Sequence, residues 1–156
     1  MKYPRSQSVE LVNMCLITDP NTKQVLVQDK TDVSWRRGLT FPGGHVEVKE
    51  DLYHAMVREV REETGLTVHS LSLCGTVEWF DDKELTRKIC FLYHTSDFSG
   101  TLVQNGDEGV NSWKSLNELT AENTAESIPQ FLKIFLNEQT TSATSDQMNG
   151  KISEIN

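Results

Sequence analysis

Between Gly43 and Leu66 the chain concentrates side chains that could hold a hard cation and move a proton. They are Glu47, Glu50, Glu59, Glu62 and Glu63, with Arg58 among them. The segment from about Asp51 to Thr64 has no Gly or Pro and is rich in strong helix formers, which predicts a helix. Gly65 is a suitable C′ residue to end it. On a helix turning roughly 100° per residue, Glu59, Glu62 and Glu63 stand at i, i+3 and i+4 and share one face. Like charges at that spacing destabilise a helix by about 0.2–0.5 kcal/mol per pair. Leu52, Met56 and Val60 point to nearly the same side, so the acidic face borders the core. Carboxylates crowded there rise in pKa unless a cation offsets them. Mg²⁺, hard and oxygen-seeking, is the natural one, with Mn²⁺ as its substitute. An acidic helix face on its own is usually solvated surface, so the surrounding residues must decide.

Those residues follow a spaced pattern. It runs Gly, five residues of any kind, Glu, seven of any kind, Arg-Glu, an apolar residue, any residue, Glu-Glu, any residue, Gly, an apolar residue. Gly44, Glu50, Arg58, Glu59, Val60, Glu62, Glu63, Gly65 and Leu66 fill every fixed position. At average residue usage a chance match at one start is on the order of one in a billion. The pattern resembles the Nudix box. Phe41-Pro42-Gly43-Gly44 and Glu47 resemble the strand and loop that lead into it. One departure is Lys49, where many members carry Gly.

The resemblance implies an α/β chain with the Nudix fold, an α/β/α sandwich around a mixed central β-sheet. It implies metal ligation by Glu59, Glu62 and Glu63 and by the backbone carbonyl of Gly43. Arg58 and Glu50 would orient the carboxylates in the catalytic group. Glu108, ahead of Trp113, resembles the family's downstream acidic loop, which binds metal or activates water. The implied reaction is in-line attack of water on one phosphorus of a pyrophosphate. Glu59 is the first choice to take the proton and Glu108 the second.

The elements that must position these groups are legible along the chain. Val9 to Thr18 is apolar and β-branched and predicts a buried strand. Asp19-Pro20-Asn21 is a turn signal, and Gln24 to Gln28 a returning strand. Lys30 to Gly38 predicts a loop, and Leu39-Thr40-Phe41 a short strand stopped by Pro42-Gly43-Gly44. Leu66 to Phe80 and Ile89 to His94 predict a hairpin around Asp81-Asp82. Phe98-Ser99-Gly100 reads as a turn and Val110 to Trp113 as a short strand. Ile128, Phe131, Leu132, Phe135 and Leu136 recur at helical spacing, with Pro129 tolerated in the first turn. Residues 1–137 are the expected hydrolase domain. Residues 138–156 are Thr, Ser, Asn, Gln and charge with little to bury, a polar and mobile C-terminal tail.

At 156 residues the chain can bury a core without disulfides. Its three cysteines, Cys15, Cys74 and Cys90, are widely spaced among apolar neighbours and read as small buried hydrophobes. A formal charge of −8 makes a nucleic-acid polymer a poor partner. No apolar run reaches membrane-spanning length, and no signal peptide is visible. The expected setting is cytoplasmic, as monomer or homodimer, with a small nucleotide as substrate and no membrane partner.

Several Nudix subfamilies carry marks beyond the box. The proline of ADP-ribose hydrolases is missing, since no proline lies between Pro42 and Pro129. Asp81 to Glu84 stand where the dinucleoside polyphosphate enzymes carry tyrosine. Elimination leaves the MutT-like members, which resemble nucleoside triphosphate pyrophosphohydrolases acting on damaged purines such as 8-oxo-dGTP. Alternatives are another nucleoside diphosphate derivative, such as an ADP-sugar or a dinucleoside polyphosphate, or a non-catalytic nucleotide sensor. Trp35 and Trp79 are the candidates to stack on a base, and Arg36 and Arg37 to reach phosphates.

Overall fold

A computed structural model describes residues 5–30, 37–81, 86–136, 142–146 and 151–155. The first strand, β1 (Val9–Ile17), turns through Asp19 into β2 (Val25–Asp29). The Asp19 carboxylate accepts the amide of Asn21 at 2.8 Å and so closes the turn. Next come the short strands β3 (Leu39–Thr40) and β4 (Gly43–His45), then α1 (Leu52–Thr64). Asp51 caps α1 by accepting the His54 amide at 3.0 Å. Gly65 ends it at φ +77°, donating its amide to Arg61.

After α1 run β5 (Leu66–His69), β6 (Ser72–Asp81), β7 (Thr86–Thr95) and β8 (Asp97–Gly100). Then follow β9 (Asn105–Gly106), β10 (Gly109–Lys114), a single 3-10 turn and α2 (Ile128–Leu136). The turn expected at Asp81-Asp82 falls largely on residues outside the described ones. The strand expected before Pro42-Gly43-Gly44 does stop there, and Gly43-Gly44 also begins a further strand, since β4 pairs antiparallel with β1. Phe98-Ser99-Gly100, expected as a turn, pairs antiparallel with β5.

With β11 (Ser142–Asp146) and β12 (Lys151–Ile155) at its edge, one sheet has the order β12-β11-β6-β7-β1-β4 and is mixed. In it β1 runs parallel to β7 and β11 parallel to β6, while the other pairs are antiparallel. A second, antiparallel sheet has the order β3-β2-β10-β9. Alternation along β1 divides the core. Leu16 joins the cluster under α2 with Val25, Val27, Ile128, Phe131 and Phe135. Cys15 and Ile17 join the cluster under α1 with Leu26, Met56 and Val60. The helices thus cover opposite faces, an α/β/α arrangement. Composition predicts little to bury beyond Asn137, yet the backbones of Ser142–Asp146 (β11) and Lys151–Ile155 (β12) extend the sheet beside β6.

Candidate active site

The middle of α1 is locked to the loop before the helix by Arg58. All five of its guanidinium donors are engaged. Nε and Nη2 hold the two oxygens of Glu50 at 2.8 and 2.9 Å, and Nη2 also reaches the carbonyl of His45 at 2.9 Å. Nη1 holds Glu59 at 2.9 Å and Glu62 at 3.1 Å. These bonds push Arg58 further into its charged range, and the Glu50 pair contributes most. Arg58 in turn holds the Glu50 carboxyl below its usual range. Arg58 is therefore a positioning residue: it sets where two carboxylates of α1 point.

The three glutamates of the acidic face are not equivalent. The side chain of Glu62 is 61% exposed, that of Glu59 13% and that of Glu63 only 3%. Glu59 lies against Gly44. A Cβ on Gly44 would stand 2.4 Å from the Glu59 carboxylate, so only glycine leaves room for it. Glu63 lies one turn on, where it accepts the Gly43 amide at 3.0 Å. The Gly43 contact to α1 thus comes through its N–H, while the sequence resemblance draws on its carbonyl. Burial raises the pKa of both glutamates. For Glu59 it outweighs the Arg58 hydrogen bond. For Glu63 it carries the value up to about 8, against the Lys30 charge and with a push from Glu108.

Glu108, in the loop between β9 and β10, reaches this pair from across the fold. Lys30 Nζ bridges them, 2.8 Å from Glu108 and 3.4 Å from Glu63. Among the described residues no three His, Cys, Asp or Glu side chains converge closely enough to hold a metal as they stand. Arg58 draws Glu59 and Glu62 onto itself, and Lys30 takes Glu63 and Glu108. The donor set nevertheless suits a hard divalent cation. It consists of anionic oxygens, two of them largely buried, and a cation from the protein already stands among them.

The other expected residues are more scattered. Arg37 is exposed just before β3. Trp79 packs, partly buried, against the cluster under α2. Trp35 and Arg36 lie outside the described residues. Trp113 stacks on Phe98 at 5.5 Å in the cluster under α1.

Sequence reasoning missed a set of inward-facing polar residues. Asn13 accepts the Gly44 amide at 3.1 Å. Asn111 donates to the backbone carbonyls of Glu63 and Val103, both at 2.8 Å, and so anchors the end of α1. Gln28, its cross-strand neighbour, is fully buried. Lys30 follows at the end of β2. The signal was strand alternation: Leu26, Gln28 and Lys30 fall on one face, as do Asn111 and Trp113.

Comparison with known proteins places this geometry in a family. Residues 11–135 match the NUDIX domain. The chain is 33% identical over 72 residues to the 8-oxo-dGTP diphosphatase of Escherichia coli, covering 46% of this chain and 56% of that one. It is 39% identical over 61 residues to an RNA pyrophosphohydrolase of Xanthomonas campestris, 36% of this chain and 30% of that one. The chain thus spans little more than half of the first relative and less of the second. The crystal structure of a MutT protein from Bacillus halodurans superposes with a TM-score of 0.75 at 24% identity, over 94% of this chain and 96% of that one. This likeness concerns the fold. With the domain matched over most of its length and the Arg58-centred carboxylates standing on α1, the chain belongs to the Nudix hydrolase family.

Proposed function

We propose that the protein is a Mg²⁺-dependent pyrophosphohydrolase of a nucleoside triphosphate, such as 8-oxo-dGTP, releasing the monophosphate and pyrophosphate. Residues 1–137 would form the catalytic domain and 138–156 an appended polar tail. The observation that carries the reading is the juxtaposition of Glu59 under Gly44, Glu63 under the Gly43 amide, and Glu108 beside Glu63 through Lys30. Two elements distant in sequence deliver carboxylates to one rim of the core, beside a glycine loop that leaves space for them.

Nudix hydrolases use divalent cations. Here Glu59, Glu62 and Glu63 would hold the ion, with Mn²⁺ able to replace Mg²⁺. The bound cation lowers the pKa of water and neutralises phosphate oxygens. The protein's own part is positioning. Arg58 fixes Glu59, and the Gly43 amide fixes Glu63. Glu59 is the first choice for general base, since it lies largely buried under Gly44, where burial raises its pKa. Glu108, more exposed and held by Lys30, is the second. Arg36 and Arg37 would meet phosphates, and Trp35 or Trp79 the base.

The substrate class draws on the similarity to the Escherichia coli 8-oxo-dGTP diphosphatase over 72 residues. The Xanthomonas RNA pyrophosphohydrolase matches over a comparable length, so an RNA 5′ end is the second reading. A charge of −8 disfavours it, because a polymer brings many phosphates and needs basic surface to hold them. The test is a substrate panel with Mg²⁺, read by phosphate and pyrophosphate release: 8-oxo-dGTP, ordinary nucleoside triphosphates, ADP-ribose, diadenosine tetraphosphate and a 5′-triphosphate RNA. Preference for 8-oxo-dGTP with pyrophosphate as product supports the proposal. Preference for the RNA or a diphosphate-linked dinucleotide overturns the substrate, and turnover in excess EDTA overturns the metal dependence.

A further inference from the structure

Lys30 has no part in the reaction outlined above. Its side chain is only 6% exposed, and a lysine so buried is rare unless its charge is paired. Its Nζ lies between one oxygen of Glu108, at 2.8 Å, and one of Glu63, at 3.4 Å. The carboxylates come from different elements, the end of α1 and the loop between β9 and β10. Once Glu63 is ionised, the two would repel across a poorly solvated gap without a cation between them. A monovalent ammonium therefore fills the position between two carboxyl groups that a divalent, oxygen-seeking ion would favour.

We propose that Lys30 is a tethered stand-in cation: in the metal-free protein its ammonium holds Glu63 and Glu108 together, and a divalent ion displaces it on binding. The inference rests on the reading of Glu63 as a metal ligand. It gives Lys30 two opposed effects. The ammonium keeps the site assembled when metal is scarce, and it must leave Glu63 before that oxygen can accept a metal. Lys30 is thus a positioning residue that lowers metal affinity while stabilising the metal-free form.

The experiment measures Mn²⁺ binding to the full chain by electron paramagnetic resonance, with thermal melts in EDTA and in saturating Mn²⁺. Lys30→Met should bind Mn²⁺ about tenfold more tightly or better, because a positive charge beside the divalent ion is gone. Its metal-free form should melt below the metal-free wild type, while the metal-saturated forms melt alike. Lys30→Arg keeps the charge and should keep the wild-type affinity. If Lys30→Met does not fold without metal, Lys30→Gln, which still donates hydrogen bonds, carries the same expectation. Unchanged or weaker Mn²⁺ affinity in the folded variant overturns the proposal. So does equal destabilisation of the metal-free and metal-saturated forms, the mark of a purely structural lysine. A wild type whose Mn²⁺ binding is indifferent to Glu63→Gln would refute the ligand reading itself, and the stand-in role with it.

Discussion

Replacing Gly44 by alanine separates the site from the fold. The new Cβ would stand 2.4 Å from both Cδ and Oε2 of Glu59. Carbon contacts relax at about 3.5–4.0 Å, so the carboxylate must retreat by roughly 1 Å or more. The obstacle is the free end of a long side chain, which can swing away cheaply. Gly44 is not among the residues at positive φ, so alanine meets no backbone strain there. Lost pairing of Glu59 with Arg58 costs about 1 kcal/mol. Reduced entropy of the unfolded chain returns about 0.4–1 kcal/mol. Stability should therefore change by less than about 1 kcal/mol. A displacement of this size in a catalytic group costs about 10²-fold in rate, and kcat should fall by that order. Gly43→Ala provides the contrast. Its Cβ would stand 2.2 Å from the carbonyl oxygen of Asn13 and 2.9 Å from Met14 Cα, both backbone atoms of β1. The β1–β4 pairing must open, and stability should fall by about 1–3 kcal/mol or more. The assay is chemical denaturation beside steady-state pyrophosphate release. Wild-type kcat in a folded Gly44→Ala protein would refute the claim that Glu59 must sit under Gly44. Equal destabilisation by both substitutions would refute the distinction between movable and fixed neighbours.

Three further outcomes follow from the same geometry. Glu59→Gln should lower kcat by about 10²–10⁴-fold with stability changed by less than about 1 kcal/mol, since relief of the crowded charges on α1 offsets the weakened bond to Arg58; wild-type kcat would move attention to Glu108 and Glu62. The folded-state pKa of Glu63 lies above its ordinary value of 4.5, at about 8, so its neutral form stabilises the fold below pH 4.5. That contribution is lost as pH rises through the folded value, and the metal-free protein should weaken between these limits by up to about 1.4 kcal/mol per pH unit. Urea midpoints across the range in EDTA check this, and a flat profile would contradict it; Mg²⁺ should level the slope by neutralising the carboxylate. Lys49 adopts φ +68° in the loop before α1, where a Cβ strains the backbone by roughly 1–2 kcal/mol. Lys49→Gly should therefore raise stability by about 0.5–1 kcal/mol after the entropy of glycine is subtracted, and a lower melting temperature would argue against that strain.

What the sequence made legible, and what it did not, divides along one physical line. The helix from Leu52 to Thr64, the apolar strands and the box spacing are local signals. Each depends on residues within a few positions of one another, and each is visible without knowing what packs against it. The Gly-rich strand β4 and the short β8 are defined by their partners, β1 and β5, so neither carries a hydrophobic run of its own. The same holds for the site. The acidic face of α1 is local, but its inequivalence is not. Glu63 is buried because β4, Lys30 and Asn111 close around it, while Glu62, one residue earlier, faces solvent. Lys30 reads as the first residue of a polar loop, because a lysine after a strand is ordinarily solvated. Only the arrival of Glu63 and Glu108 from elsewhere makes its burial tolerable. A period-2 reading of β2 would still have flagged it. Leu26 is a core residue, and Gln28 and Lys30 continue the same inward face, which places two polar side chains where packing alone would favour apolar ones. An inward-facing polar run at the end of a core strand asks for partners, and those of Lys30 are two of the carboxylates to which the chemistry is assigned.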